Sequence, residues 1–568
     1  MIGVIVRGQD TRQRHAVRCN DSENFVDCIC GVDDHALAGA AIAHQIDVVD
    51  HLGGETVAYR EVPTGEKLTE VKRIVCGHAI RIWPTLMAAM NILPNTKLLV
   101  GDELVDLSPD MATALDAGGR LIPLRRSGDV LVVSRGVRDT VDRAVAGARE
   151  AFASMQQLPQ DRVDRFFVLF AEAIEDDARF APVLEANTRD VDSARARGRA
   201  TGRLTITAKM RSEMAAGLRM WAALELHRLD LVDRVTHGGW SVESWRAPLG
   251  VVAFVFEGRP NVFADATGVL KSGNTVVFRI GSDALGTARA IRDHLLHPAL
   301  EEAGLPAGAV SLVDSSEHAA GWALFDDARV ALAVARGSGP AVNQLGEVAR
   351  QAGIPVSLHG TGGAWLIVGS SFDPERLAAV TFHSLDRKVC NTLNTIVVLE
   401  GNLEDGLATV GPALEKRAST HGGRLVVHTD HDDIARCLSE RVGVEVRLGP
   451  VDTGTEWEWD EHPEVTIVSA PSVEVAVEWF NVASPRFVLS MITEKSHEEE
   501  LAWEASEAPF FGDGFTRWVD GQFALERPEL GLANWQTGRL LGRGGVLSGD
   551  SVHTVRLRVR QNDHDLHR

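Results

Sequence analysis

The chain has few cysteines, little positive charge and no long apolar run. Its 568 residues include only six cysteines, too few and too scattered for a disulfide framework. No apolar stretch reaches the ~18 to 20 residues of a membrane helix, and the amino-terminal apolar stretch is too short for a signal sequence. A formal net charge of −21 argues against a general binder of nucleic acid or anionic membrane. We therefore expect a cytoplasmic protein.

The chain is too long for one core and is expected to form several domains. Short apolar runs punctuated by Gly, Asp and Asn indicate a small strand-rich domain over residues 1–136. From Val137 the pattern becomes helical, with Val141 and Val145 on one face. Beyond Arg246 strands and helices alternate, which predicts a mainly parallel sheet with helices on both faces. The predicted fold class is therefore α/β.

Cys390 is the strongest candidate nucleophile. It follows Arg387 and Lys388, and a polar turn separates it from the apolar run 396–399. Nearby cations and turn amides lower the pKa of a thiol, so we expect Cys390 to have thiolate character. A single cysteine in a long chain is more often a small buried hydrophobic residue. The interpretation therefore depends on the other motifs of the chain.

Turns that follow predicted strands indicate a nucleotide site. A Gly-Arg-Pro turn leads to Asn261, and the next predicted strand delivers Arg279 to the carboxyl edge of a sheet. Doubly wound sheets bind nucleotides at that edge. A third strand is followed by Gly337, Ser338 and Gly339, whose amides could face a phosphate. None of these turns is a strict dinucleotide fingerprint.

The order of these motifs resembles that of the γ-glutamyl phosphate reductases, the proline-pathway branch of the aldehyde dehydrogenase superfamily. The resemblance covers residues from about 137 to about 559, whereas the segment before it matches no pattern. The motifs that carry it are PLGVV at 248–252, RPNV at 259–262, LKSGN at 270–274, RGSG at 336–339 and VCNTL at 389–393.

This resemblance implies an aldehyde-dehydrogenase-like fold with an extra amino-terminal domain, 1–136, of unknown role. A Rossmann-type cofactor domain would occupy 137–355, with a β-flap segment at 232–247. A catalytic domain with the nucleophile would occupy 356–490. Residues 491–568 would return to the cofactor domain and end in an oligomerisation strand.

The resemblance also implies the chemistry. An acyl phosphate, γ-glutamyl phosphate or a related compound, would be reduced with NADPH to the aldehyde through a thioester on Cys390. Asn261 and the backbone N–H of Cys390 would hold the developing oxyanion. Arg279 and Ser282 lie where the family holds the adenosine end of the cofactor, and a cation there favours NADP. The neighbouring Asp283 weakens that preference.

Three substrate-side segments depart from the family pattern. Where the family reads Glu-Thr-Gly, the chain lacks the carboxylate and has His359 beside it. This histidine is either a replacement acid–base group or a structural residue. At 484–489 apolar residues replace a His-(Ser/Thr)-Asp segment, and near the carboxyl end Arg543 could still bind a phosphate or carboxylate. Asn391 is a further substrate-binding candidate. Because of the three departures from the family pattern, the acyl group need not be γ-glutamyl.

Other interpretations stay open at this point. An acylating dehydrogenase that uses an acyl-CoA would share the cysteine chemistry, and a non-catalytic scaffold would keep only the fold. A metal site is not favoured, because Cys28 and Cys30 are too closely spaced for zinc. The basic run 195–203 is interpreted as a solvated helix end and loop.

The resemblance implies a homo-oligomer, a dimer or tetramer, formed through strands at 235–245 and 551–559. The small amino-terminal block could receive the substrate or bind a kinase that supplies it.

Overall fold

The protein is described from a computed structural model as two compact units. One consists of the described residues of Met1–Val141 with Glu317–Ala328, and the other of Asp142–Ser316 with Arg329–Arg568. The structure describes residues 3–7, 45–52, 55–57, 97–100, 103–199, 201–337, 339–360, 362–531, 535–536, 539–540 and 547–566. Cys28, Cys30, Ser338 and Arg543 therefore lie outside the described residues.

The smaller unit is built from antiparallel strands and short helices. Ser108 caps the helix Pro109–Asp116 by accepting a hydrogen bond from Met111 N, and the helix Ala319–Phe325 contacts the strand Val130–Val133. Its strands form one three-stranded sheet, Gly3–Arg7, Gln45–Leu52 and Glu55–Val57, and two hairpins, Lys97–Val100 with Glu103–Asp106 and Arg120–Pro123 with Val130–Val133. The predicted amino-terminal domain, 1–136, does not include the segment Glu317–Ala328, which belongs to the smaller unit. The domain boundary at residue 136 stays a prediction.

The larger unit contains a five-stranded parallel sheet. The strands lie in the order Val310–Leu312, Thr275–Ile280, Val251–Phe256, Val330–Arg336 and Val356–His359, which is 3-2-1-4-5 in chain order. Its central strands are buried on both faces, which is why they read as continuous apolar runs. The helices of this part of the chain are Gln160–Glu175, Asp177–Ala196, Ala208–Ala223, Val262–Ala266, Leu285–Ile291, His297–Ala303 and Gly339–Gln351, and the helix Arg135–Met155 contains residues of both units.

A second parallel sheet of seven strands belongs to the same unit. Its order is Val444–Leu448, Leu425–Thr429, Glu464–Ala470, Leu393–Leu399, Ala364–Val368, Val488–Ile492 and Phe510–Gly512. The helices of this region are Pro374–His383, Leu403–Thr420, Asp432–Ser439, Val473–Ala483, Ser496–Ala505 and Gly521–Ala524. The predicted α/β class with parallel sheets is thus confirmed.

A three-stranded antiparallel sheet joins two distant parts of the chain. Trp240–Pro248 pairs with Leu231–His237 on one side and with His553–Gln561 on the other. Short pairs complete the strands of the larger unit: Glu529–Gly531 with Leu547–Ser548, and Trp535–Gln536 with Arg539–Leu540. Among the described residues, no helix is both long enough and apolar enough to cross a membrane.

Asn274 ties the carboxyl-terminal segment to the first sheet. Its buried side-chain oxygen accepts from the backbone N–H groups of Leu249 and Gly250 at 2.7 and 3.0 Å. Its amide donates to Val552 O at 2.7 Å. The LKSGN motif therefore ends in a residue that satisfies three buried backbone groups.

We predict that Asn274→Ala destabilises the larger unit by about 2–4 kcal/mol, because it leaves buried N–H and C=O groups without partners. The urea midpoint followed by tryptophan fluorescence should fall accordingly. Asn562→Ala, at an exposed position, is the matched control. Equal midpoints for the two variants would show that Asn274 does not have this role.

Candidate active site

Cys390 lies in a turn closed by Thr392, immediately before the strand Leu393–Leu399. The Thr392 hydroxyl accepts from Val389 N at 2.9 Å and donates to Arg387 O at 2.5 Å. Gly362 packs so closely on the turn that an added Cβ would lie 2.6 Å from Cys390 O. The backbone of the predicted nucleophile is therefore held from both sides.

Asn391, predicted to bind substrate, is used within the protein. Its side chain is buried, its amide donates to Val519 O at 2.6 Å, and its side-chain oxygen accepts from Arg517. Its backbone oxygen accepts from the Thr516 hydroxyl at 2.6 Å. These bonds fix the Cys390 turn to the segment that follows the last strand of the second sheet. The geometry therefore gives Asn391 a positioning role.

Three arginines act on the Cys390 thiol. Burial raises the pKa of this thiol above its ordinary value, while Arg259, Arg336 and Arg517 act to lower it. Glu529 acts with burial to raise the pKa. This result differs from the expected thiolate, because the loss of hydration outweighs the nearby positive charge. Burial therefore keeps the pKa of the Cys390 thiol above its ordinary value despite the neighbouring arginines.

The cations around the thiol are crowded. Burial, together with the charges of Arg203 and Arg336, lowers the pKa of Arg259 to about 10. Burial also lowers the pKa of Lys388, whose ammonium donates to Gly362 O at 2.9 Å and lies 3.8 Å from Glu458. Like charges brought together in a partly dehydrated site attract an anion.

The basic run 195–203 is a surface segment, as predicted, but part of it reaches the site. Arg203 Nη2 donates to Lys388 O at 3.4 Å, two residues before the nucleophile. Sequence reasoning did not find this residue, because a loop arginine carries no local signal of the turn that it contacts.

The buried Asp265 and the half-buried Glu529 flank Arg336. Its guanidinium lies 3.9 Å from Asp265 Oδ2 and 3.7 Å from Glu529 Oε1, and it donates to Glu529 O at 2.9 Å. Burial raises the pKa of both carboxyls, and their mutual repulsion raises that of Asp265 further. Neither acid was predicted from the sequence.

Asn261 lies beside this group, at the end of the turn that follows the first strand. Its amide donates to Asp265 Oδ2 at 3.3 Å, one helical turn further along the chain. That i, i+4 spacing was the signal that could have found Asp265. Arg259, two residues before Asn261, acts on the thiol of Cys390. The role of Asn261 at the oxyanion stays a prediction.

His359 lies at the end of the fifth strand of the first sheet. Its ring packs edge-on against Phe487, with centroids 5.8 Å apart, and its backbone oxygen accepts from Gly337 N at 3.1 Å. Phe487 belongs to the apolar cluster on which Cys390 packs, together with Phe510. Two of the three departures from the family pattern are therefore in contact.

The predicted cofactor residues lie at the carboxyl edge of the first sheet. Arg279 is almost buried near the end of the second strand, where burial lowers its pKa, and Ser282 begins the next turn. Gly337 follows the fourth strand, and a Cβ there would lie 2.8 Å from Glu257 Oε1. Gly339 begins the next helix. The strand order reverses between the first and fourth strands, so these residues fit a dinucleotide at the switch point.

Comparison with known proteins identifies the family to which this architecture belongs. Residues 125–424 match the model of the Aldehyde dehydrogenase family. The chain belongs to this family. Over 290 residues it is 33% identical to γ-glutamyl phosphate reductase of Xanthomonas campestris pv. campestris, a match that covers 49% of this chain and 68% of the relative. The family resemblance predicted from the sequence is confirmed.

Solved structures share the fold of this aldehyde dehydrogenase. The γ-glutamyl phosphate reductase of Thermotoga maritima superposes with a TM-score of 0.66 at 22% identity, over 76% of this chain and 100% of that one. An acetylating aldehyde dehydrogenase from Geobacillus thermoglucosidasius gives 0.55 at 15% identity, over 76% and 99%. The predicted aldehyde-dehydrogenase-like fold is confirmed, and the protein is an oxidoreductase of this family.

We predict that Glu529→Gln speeds alkylation of Cys390 by iodoacetamide at pH 8. Removing the negative charge lowers the thiol pKa, so more of the reactive thiolate is present below that pKa. In the unmodified protein the rate should rise about tenfold per pH unit until the thiol pKa is passed. The label on the Cys390 peptide, measured by mass spectrometry, gives the rate.

The exposed Glu478→Gln is the matched control, and Cys437 reports general thiol reactivity. If Glu529→Gln left the Cys390 rate and its pH dependence unchanged, the carboxylate would not act on the thiol.

Proposed function

We propose that the protein reduces an acyl phosphate to the aldehyde with NADPH through a thioester on Cys390. The observation that carries this proposal is the group of cations around the thiol, Arg259, Arg336 and Arg517, in a chain of net charge −21. An acyl phosphate presents a dianion next to its reacting carbon, so cations at the nucleophile stabilise both its binding and the departing phosphate.

The same observation separates this proposal from an acyl-CoA reductase. The reacting carbonyl and sulfur of an acyl-CoA carry no charge, and its phosphates lie far from the thioester. Cations clustered at the thiol therefore favour the acyl phosphate. A scaffold without catalysis would need neither these cations nor the turn that holds Cys390.

The chemistry then follows from residues of the chain. The Cys390 sulfur bonds to the acyl carbon, the carbon–oxygen bond to phosphate breaks, and the thiol proton leaves with the phosphate as HPO₄²⁻. Asn261, oriented by Asp265, donates to the oxyanion formed during attack. Bound NADPH supplies the hydride that releases the acyl group as aldehyde and leaves Cys390 as a thiolate. A proton from solvent restores the thiol.

The acyl group is the least constrained part of the proposal. The cluster beside Cys390 contains Phe487 and Phe510, with Trp518 packed against it. Aromatic surface favours an acyl chain with an apolar body. We propose that the substrate class includes acyl phosphates other than γ-glutamyl phosphate. A role for the amino-terminal block in receiving substrate from a kinase stays a prediction.

The reverse reaction tests the proposal. Purified protein, NADP, phosphate and either glutamate 5-semialdehyde or short aliphatic aldehydes should give phosphate-dependent absorbance of reduced nicotinamide. Cys390→Ala should abolish it, because the covalent step is lost. Arg259→Ala should raise the KM for phosphate by about tenfold or more, through loss of a charge-assisted contact. Arg195→Ala, at a distant exposed ion pair, serves as control. Reduction that required CoA and ignored phosphate would favour the acylating dehydrogenase.

We also propose that the three-stranded sheet joins subunits. Val235, Val242 and Val559 lie in register across its strands and form an apolar row, which Leu557 extends. Leu557 is 69% exposed and Val559 57% exposed. An exposed apolar sheet face at the edge of a unit is typical of a subunit contact.

Leu557→Glu should therefore give a smaller particle than the unmodified protein in size-exclusion chromatography with light scattering. Arg556→Glu changes charge on the opposite face of the same strand and is the matched control. An unchanged mass for Leu557→Glu at micromolar concentration would place the subunit contact elsewhere.

A further inference from the structure

Three charged side chains meet at the carboxyl edge of the first sheet. Arg197 Nη2 lies 2.8 Å from one carboxylate oxygen of Asp283, and Arg199 Nη1 lies 2.5 Å from the other. Arg197 caps the helix Asp177–Ala196, and Arg199 N donates to Ala194 O at 3.0 Å. The two guanidiniums thus come from a segment that precedes the carboxylate by more than 80 residues, 84 in the case of Arg199.

The position of Asp283 in the fold relates this contact to cofactor binding. In a sheet of order 3-2-1-4-5, an acidic residue after the second strand normally accepts a hydrogen bond from the ribose 2′-hydroxyl of NAD. Asp283 lies in the turn after the second strand, Thr275–Ile280. Here each of its oxygens lies within ion-pair distance of an arginine, and Oδ2 accepts a hydrogen bond from Arg199, so its charge is offset in the free protein.

The sum of charges at this corner is positive. Two arginines and one carboxylate carry one net positive charge, because arginine stays ionised in proteins. A ribose hydroxyl gains little from such a group, whereas a phosphate dianion can bind two guanidiniums in bidentate fashion. Arg197 and Arg199 remain 44% and 54% exposed, so a ligand can reach them.

We propose that Arg197 and Arg199 determine cofactor specificity by binding the 2′-phosphate of NADP. Asp283 holds the two guanidiniums in place in the free protein, and the phosphate takes over part of these contacts. The inference rests on the proposed use of NADPH, and it adds two residues to Arg279 and Ser282 as determinants. It also changes the interpretation of the basic run 195–203, whose arginines were expected to be solvated only.

The test uses nucleotide fragments and does not depend on turnover. Calorimetric titration of the full chain with 2′,5′-ADP and with 5′-AMP isolates the contribution of the 2′-phosphate. The unmodified protein should bind 2′,5′-ADP more tightly. The double variant Arg197→Ala/Arg199→Ala should weaken binding of 2′,5′-ADP by about tenfold or more, and that of 5′-AMP by less than about twofold.

Two further variants keep the test decisive. Arg195→Ala removes an arginine of the same helix end that pairs with Asp192 at 3.0 Å, and it should leave both affinities unchanged. Asp283→Asn removes the competing charge and should strengthen binding of 2′,5′-ADP several-fold. The Cys390 alkylation rate and the melting temperature show that the variants are folded.

The outcomes separate the inference from the proposed function. If the unmodified protein bound both fragments equally, the NADP preference itself would be wrong, and the inference with it. If it preferred 2′,5′-ADP and the double variant kept that preference, NADP use would stand and the role of Arg197 and Arg199 would be overturned. In that case their contacts with Asp283 would be an exposed ion pair of little energetic consequence.

Discussion

The site depends on positive charge held beside a partly dehydrated thiol. Guanidinium groups are costly to remove from water unless opposite charges or hydrogen bonds compensate them. Arg336 is flanked by two carboxyls, whereas burial and the charges of Arg203 and Arg336 lower the pKa of Arg259 to about 10. These cations come from different elements. Arg259 follows the first strand of the first sheet, Arg336 ends the fourth, and Arg517 follows the last strand of the second sheet. The charge around Cys390 therefore exists only when the larger unit is assembled, and it gives the acyl phosphate a place that no single motif could provide.

This arrangement also explains why a raised thiol pKa is compatible with catalysis. Expulsion of phosphate from an acyl phosphate requires one proton if the product is to leave as HPO₄²⁻. In the proposed mechanism, a Cys390 thiol that is protonated at rest would bring that proton to the reaction, whereas a permanent thiolate would need a separate acid. The phosphate dianion in turn offsets the crowded charges of Arg259 and Arg203. The negative charge of the phosphate and the positive charge of the arginines would thus offset each other. A thioester that is neutral at its reacting group would not provide this offset and would be disfavoured.

The sequence predicted those features that depend on residues close together in the chain. Continuous apolar runs marked the parallel strands, because strands buried on both faces have no polar side. Cys390 and Asn261 could be found because each sits in a turn beside its strand. The residues that sequence reasoning missed act across long separations: Glu529 reaches the site from a short edge strand, and Arg203 from a surface loop. Asn391 was predicted to bind substrate, and that role stays a prediction. Its hydrogen bonds to Val519 and Thr516 hold the Cys390 turn in place, and no local pattern of the sequence indicated them.

Two of the segments that depart from the family pattern lie together in the structure and bear on the choice of substrate. His359 and the apolar segment 484–489 are far apart in sequence, yet the histidine ring packs against Phe487. Changes that meet at one surface are coupled, because a larger or less polar side chain on one element requires a matching neighbour on the other. The cations around Cys390 adjoin this contact: Arg336 pairs in register with His359, and Arg517 precedes Trp518, which packs on the same aromatic cluster. The part of the site that would bind the phosphate and the part that would bind the acyl body are therefore neighbours. Under the proposed function, a change of acyl group would be accommodated at the aromatic surface while the reaction at the thiol stays the same.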